Sequence, residues 1–166
     1  MRVHVLERTQ QVPVDPAEAF ALYSSADNLE RITPPWLHFR ILDPRPGALS
    51  PGARLEYSLV LHRFPIRWTT EIRSWEPPQR FVDFQLRGPY ALWEHTHTFE
   101  PVAGGTVLTD RVRYAIPYGP LGALAHVAFV RRDLRRIFDY RRDAVAALLG
   151  GDFHRPGSPR LPFRGP

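Results

Sequence analysis

The segment Trp93-Glu94-His95-Thr96-His97-Thr98-Phe99 alternates apolar or aromatic residues with polar ones. A spacing of two on a strand puts both imidazoles on one face, about 7 Å apart. Such a pair could ligate a metal, hold a polar group of a ligand, or share acid–base work. A metal needs a third ligand, which Asp110 or Glu71 could supply. Glu71, however, shares its face with Arg67, Thr69, Arg73 and Trp75, which reads as a solvated outer face. No metal and no other cofactor is therefore assigned. If Asp110 points inward it needs a partner, because a buried unpaired carboxylate is costly. Only His95 and His97 can reach it from the neighbouring strand. The plainer reading of the three residues is a satisfied buried cluster; the sharper one makes His95, His97 and Asp110 candidate acid–base groups. Asp83 lies between Phe81 and Gln85, and its side of the sheet stays undecided.

These residues need strands to position them, and the patterning supplies them. Val3 to Val14 reads as an extended segment. Asp15 then stands as a helix N-cap with Pro16 at the first helical position, opening a short helix over Ala17–Ser24. Asp27 signals a second short helix over Asn28–Ile32, stopped by Thr33-Pro34-Pro35. From Leu37 the period changes to two. Strands are expected at Leu37–Leu42, Arg54–His62, Ile66–Ile72, Arg80–Arg87, Leu92–Pro101 and Val107–Ile116, with Gly- and Pro-rich turns between them. The turns recur about every ten residues, which argues an antiparallel meander. A long amphipathic helix over roughly Leu121–Leu149 follows, with Val127, Val130, Leu134, Ile137, Phe138, Val145 and Leu148 at helical spacing. Arg131, Arg132, Arg135, Arg136, Arg141 and Arg142 fill its other face among Asp133, Asp139 and Asp143.

Composition removes several classes of chemistry. The 166 residues fit one domain, 1–150, followed by a Pro/Gly/Arg-rich tail, 151–166. With 43% hydrophobic and 12% aromatic residues, a packed core can form. There is no cysteine, so disulfides, thiolate metal sites and cysteine nucleophiles are excluded; a cytoplasmic setting is expected. All 22 basic residues are arginine, which excludes lysine Schiff-base and P-loop chemistry. The net charge of +5 is mild. The arginine face of the last helix lacks interleaved aromatics, so no nucleic acid is expected. Peripheral contact with an anionic membrane remains open.

The order of elements resembles the START-like (SRPBCC, birch-pollen-allergen-like) superfamily, and within it bacterial polyketide cyclase/dehydratase-like or coenzyme-Q-binding-like proteins. The stretches that carry the resemblance are Asn28–Leu37, Trp75–Asp83, Gly88-Pro89-Tyr90, Trp93–Phe99, Gly105-Thr106, Thr109–Val112 and Tyr118–Gly122. It spans roughly residues 3–149. It implies an α+β helix-grip fold: a curved antiparallel sheet of about seven strands wrapped around a long C-terminal helix, with two short helices after the first strand. It also implies lipids, isoprenoid quinones or polyketides as ligand classes.

The combined expectation is a carrier or sensor for a small hydrophobic or amphipathic molecule held between sheet and helix. Tyr57, Trp68, Trp93, His95, His97, Phe99, Tyr114, Val130 and Leu134 are the expected lining. The segments Leu42–Gly52 and Tyr118–Leu121 would flank the mouth. The alternative is a polyketide cyclase/dehydratase-like enzyme using His95, His97 and Asp110.

Overall fold

The computed structural model of the protein describes residues 1–42 and 49–150. The expected tail, and most of the expected loop Leu42–Gly52, lie outside these residues. Seven antiparallel strands form one sheet: β1 (His4–Val12), β2 (Arg40–Ile41), β3 (Arg54–Leu61), β4 (Phe64–Glu76), β5 (Arg80–Arg87), β6 (Leu92–Val102) and β7 (Gly105–Ala115). The spatial order is β1-β7-β6-β5-β4-β3-β2, so the last strand closes back on the first. Two short helices, α1 (Pro16–Tyr23) and α2 (Ala26–Leu29), follow β1, and a 3-10 turn spans Pro35–Leu37. After β7 come α3 (Gly119–Ala125), a single π turn (His126–Val130) and α4 (Arg131–Leu149). This is the expected helix-grip architecture. Among the described residues, no helix is long and apolar enough to cross a membrane.

Local chemistry explains most boundaries. The Asp15 carboxylate accepts the Glu18 backbone N–H at 2.9 Å, and Pro16 sits in the first turn, as the N-cap reading requires. Such a cap is worth about 1 kcal/mol. The second cap falls on Ser25 rather than Asp27, which lies inside the first turn of α2. Gly150 ends α4 with φ 69°, a left-handed cap that suits a residue without Cβ. At Gly105 a Cβ would stand 1.9 Å from the Val12 carbonyl oxygen, so only glycine lets β7 start against the end of β1. The β3–β4 turn is at His62-Arg63, both with positive φ, two residues before the expected Phe64-Pro65 connection. The expected strand at Leu37–Leu42 shrinks to the two-residue β2, because Pro35 starts the 3-10 turn.

Two corrections concern which way side chains face. Trp75 was expected on the outer face beside Glu71. The β4–β5 pairing shifts register between Ile72 and Ser74, and Trp75 packs inward, edge-on to Phe20 at 5.0 Å. Glu71 itself does stay outside, paired with Arg54 and Arg73. In the C-terminal helix, Val127 was expected on the buried stripe but is 78% exposed. The π turn inserts an extra residue and rotates the helix before it relative to α4. The segment then buries Gly122 and His126, while Leu121 and Leu124 face outward.

The core falls into two clusters along the concave face. One gathers Val12, Phe20, Tyr23, Ile32, Phe81, Phe99, Leu108, Val145 and neighbours under α1 and the end of α4. The other gathers Leu6, Trp68, Trp93, Val112, Tyr114, Leu134 and Phe138 under the start of α4. Between them lies the site.

Candidate functional site

Four charged or polar side chains from three adjacent strands meet on the concave face. Asp83 on β5 is the cross-strand partner of His95 on β6, and His97 is the partner of Asp110 on β7. Residues paired across a ladder share a face, so burying His95 and His97 also turns both carboxylates inward. The side-chain contacts run on the diagonals as well. His95 Nε2 lies 3.0 Å from Asp110 Oδ1, and His97 Nε2 lies 3.0 Å from Asp83 Oδ2. The remaining ring atoms complete the circuit: His95 Nδ1 is 3.4 Å from Asp83 Oδ2 and His97 Nδ1 is 2.8 Å from Asp110 Oδ1. The last contact is close but off the hydrogen-bond axis, and leaves His97 Nδ1 without a directional partner. Tyr23 Oη adds a 3.3 Å hydrogen bond to Asp110 Oδ2.

The two imidazoles are closer than strand geometry alone predicts. Their ring centroids are 3.8 Å apart, because each ring leans toward carboxylates shared with the other. His97 is sandwiched flat against Phe81 at 4.1 Å, and Phe138 of α4 meets His95 edge-on at 5.3 Å.

Burial and pairing set the charges. Burial alone would raise the Asp110 carboxyl, but the hydrogen bonds and charges of His95 and His97 outweigh it and hold Asp110 well below the usual carboxylate range. Asp83 is lowered in the same way, with burial opposed by both histidines and Arg141. The histidines diverge. Burial and the neighbouring His97 lower His95 despite its two carboxylates. For His97 the bonds to Asp110 and Asp83 overcome burial, and its value rises. Burial and the shared carboxylates thus act with opposite net direction on the two imidazoles.

Beside this quartet lies a cavity of about 160 Å³. A cavity of that size accommodates about one benzene-sized ring. Its apolar wall includes Leu55, Tyr57, Leu59, Trp68, Trp93, Leu134 and Ile137; its polar wall includes Asp83, His95, His97 and Arg141. Trp68 stacks on Tyr57 at 5.9 Å and meets Trp93 edge-on at 5.2 Å. The Trp68 indole N–H is buried with no hydrogen-bond partner.

Of the expected lining residues, Tyr57, Trp68, Trp93, His95, His97 and Leu134 line this cavity. Phe99, Tyr114 and Val130 do not. Phe99 packs against Phe20, Tyr23 and Phe81 in the first cluster. Tyr114 turns its hydroxyl to His126 Nε2 at 2.9 Å, and Val130 packs on the second cluster. Asp110 lies behind the histidines rather than in the cavity wall. Tyr118 and Gly119 border a separate cleft with His4 and His126.

Of the polar wall, the sequence reading missed two residues, and of the apolar wall it missed Leu55, Leu59 and Ile137 among others. Asp83 was recoverable only with the β5–β6 register. Arg141 was placed on the solvated helix face with the other arginines, yet Leu134, Phe138, Arg141 and Val145 repeat at intervals of four, three and four. That spacing is one helix face, and it carries the Arg141 side chain to the cavity. Two aspartates of α4 reach off the helix, while Asp143 pairs with its neighbour Arg142. Asp139 binds Arg8 of β1 at 2.8 Å and Asp133 binds His62 of the β3–β4 turn at 2.6 Å.

Asp83, His95 and His97 each bring a donor atom within 4.8 Å of the others, the arrangement a metal ion would need. The quartet could alternatively bind the polar edge of a ligand or move a proton.

Comparisons with known proteins agree with this architecture. Ara h 8.0201 superposes with a TM-score of 0.65 at 17% identity, covering 89% of this chain and 98% of that one. CV1439 from Chromobacterium violaceum gives 0.68 at 15% identity over 90% and 99%. The di-domain ARO/CYC StfQ of the steffimycin biosynthetic pathway gives 0.68 at 15% identity, covering 89% of this chain and 51% of that one. At these identities the likeness is one of fold. A search of curated proteins finds no match. The family model described as polyketide cyclase / dehydrase and lipid transport matches residues 3–150, and the chain belongs to that family.

Proposed function

We propose that the protein is a cytoplasmic carrier or sensor for a small amphipathic molecule with an aromatic ring and a polar edge. The observation that carries this reading is the asymmetry of the cavity: an aromatic and aliphatic wall faces a polar wall of Asp83, His95, His97 and Arg141. Binding sites for small molecules combine apolar lining with a few placed polar groups in this way. The free N–H of Trp68 suits a ligand acceptor such as a carbonyl oxygen. The volume favours one ring over a polycycle, so a long lipid or fused polyketide would enter only part-way.

The carrier would collect its ligand at an anionic membrane. Leu121, Leu124 and Val127 are 75%, 68% and 78% exposed along α3 and the π turn, with Tyr118 beside them. Phe64 at the β3–β4 turn is exposed too, and that turn touches the π turn through His62 and Phe129, 5.3 Å apart. Exposed Arg63, Arg131 and Arg132 flank this apolar surface and complement anionic head groups.

Native mass spectrometry of the purified protein, followed by denaturing extraction, tests the carrier reading. A co-purifying aromatic molecule lost on Trp68→Glu or Trp93→Glu supports it. A mass without ligand, together with no melting shift across a panel of single-ring aromatic ketones and acids, sinks it.

One observation favours a cyclase/dehydratase-like enzyme instead: His95 and His97 share one cavity wall, with the Asp110 carboxylate hydrogen-bonded to His95 from behind. In that reading His97 and His95 exchange protons with substrate and Asp110 orients both from behind. His97→Gln would then abolish turnover while ligand affinity survives.

A further inference from the structure

The geometry points to a divalent metal site formed by Asp83, His95 and His97, with an open position facing the cavity, in place of the metal-free cluster read from the sequence. The inference stands independently of the ligand carried. Asp83 Oδ2 lies 3.0 Å from His97 Nε2 and 3.4 Å from His95 Nδ1. Donors about 2.1 Å from a tetrahedral ion are about 3.4 Å apart, so small ring movements would admit a first-row ion.

The second argument is the direction in which the quartet is built. All three donors line the cavity, whereas Asp110 sits behind them. Asp110 Oδ1 lies 3.0 Å from His95 Nε2 and 2.8 Å from His97 Nδ1, the two nitrogens that would not ligate. Asp110 accepts the outer N–H of His95 and stands close to that of His97, a placement that in the metal-bound form would leave lone pairs on His95 Nδ1 and His97 Nε2. In that tautomer the lone pairs face the Asp83 carboxylate, and a bound cation would take the place of the proton that now joins His97 Nε2 to Asp83 Oδ2 at 3.0 Å. His97 Nδ1, 2.8 Å from Asp110 Oδ1 but off the hydrogen-bond axis, needs only a small ring rotation on metal binding to donate to it.

Charge agrees. Asp83 and Asp110 bring two carboxylates to the concave face, a negative charge that Arg141 offsets only in part and that attracts a divalent ion. Arg141 on the same wall stays free to meet an anionic or carbonyl ligand that completes the coordination. Two nitrogens and one carboxylate oxygen suit zinc and its first-row neighbours rather than calcium or magnesium. Glu71, the third ligand considered from the sequence, is held on the outer face by Arg54.

The test is a zinc and cobalt titration of the full chain after chelator treatment. The expected result is one ion bound per chain, with Co2+ giving the visible absorption bands of a four-coordinate site. Asp83→Asn and His95→Gln should lose binding, and Asp110→Asn should weaken it about 10- to 100-fold. Circular dichroism checks that the variants are folded. His126→Gln, in the separate cleft, should bind as the parent does. Absence of binding by the parent chain overturns the site. So does binding that survives Asp83→Asn and His95→Gln but is lost on His4→Gln or His62→Gln.

Discussion

Tyr23 on α1 and Asp110 on β7 are joined by a 3.3 Å hydrogen bond, the phenol Oη donating to carboxylate Oδ2. Both residues are buried. Burial and the Asp110 charge push the Tyr23 phenol well above its ordinary value, which keeps it protonated as the donor. The bond fastens the short helix to the back of the polar quartet. Tyr23→Phe removes the donor and leaves the carboxylate short of one partner. The expected cost is about 1–3 kcal/mol, read from urea unfolding. Tyr23 also lines the cavity, but its ring is retained in the variant, so ligand binding per folded molecule should change little.

Filling the cavity should separate binding from stability. Ile137 lines the cavity and is partly buried. Ile137→Phe places a ring where the ligand's ring would sit. Stability should change by less than about 1.5 kcal/mol, because the added volume enters existing space. Melting shifts induced by single-ring aromatics should disappear. A variant that still shows the full shift would place the ligand elsewhere.

The membrane surface predicts a different dissociation. Leu121→Asp with Leu124→Asp changes two exposed residues and should leave the melting temperature nearly unaltered. Co-sedimentation with vesicles rich in anionic lipid should fall sharply. For the parent chain, the same binding should weaken as salt screens the arginines. Equal sedimentation of parent and variant would remove α3 from the contact.

Stability should fall in mild acid through a second histidine pair. His4 of β1 and His126 of the π turn stack at 3.7 Å, with Tyr114 of β7 bonded to His126. Burial and the charges of Arg2 and Arg131 lower both imidazoles from 6.5, and His4 further lowers His126. The unfolded chain therefore binds protons that the folded one resists. This contribution is complete above pH about 6.5 and is lost as pH falls below it. Between about pH 7.5 and 5.5 this pair should pull the melting temperature down against the opposite pull of His97, and His126→Gln should remove part of the downward slope. An unchanged slope in that variant would assign the acid sensitivity to other groups.

The strands were legible because their alternation is strong: Trp93, His95, His97 and Phe99 all face the core, as the period of two requires. The Asp15-Pro16 helix start was equally plain. Three features were hidden for physical reasons. The side of Asp83 depends on strand alignment, which no local pattern around Gly88-Pro89 specifies. Trp75 faces inward only because the β4–β5 register shifts. Val127 left the buried stripe because one π turn breaks the helical period. Arg141 differs from these. Its position on the apolar face was present in the spacing, but its charge suggested the outer face.

The closed circuit of two carboxylates and two imidazoles has a consequence for how the chain finds its alignment. Asp83, His95, His97 and Asp110 are supplied by three consecutive ladder partners, β5, β6 and β7. If β6 slid by one residue, both rings would swing to the outer face and Thr96 would turn inward. Asp83 and Asp110 would then be buried with no counter-charge, at several kcal/mol each. An all-apolar set of strands would tolerate the same slip far better, since one branched side chain can replace another. The polar circuit works as a key cut for one register of the central strands, and it is the misaligned sheets, more than the unfolded chain, that it disfavours.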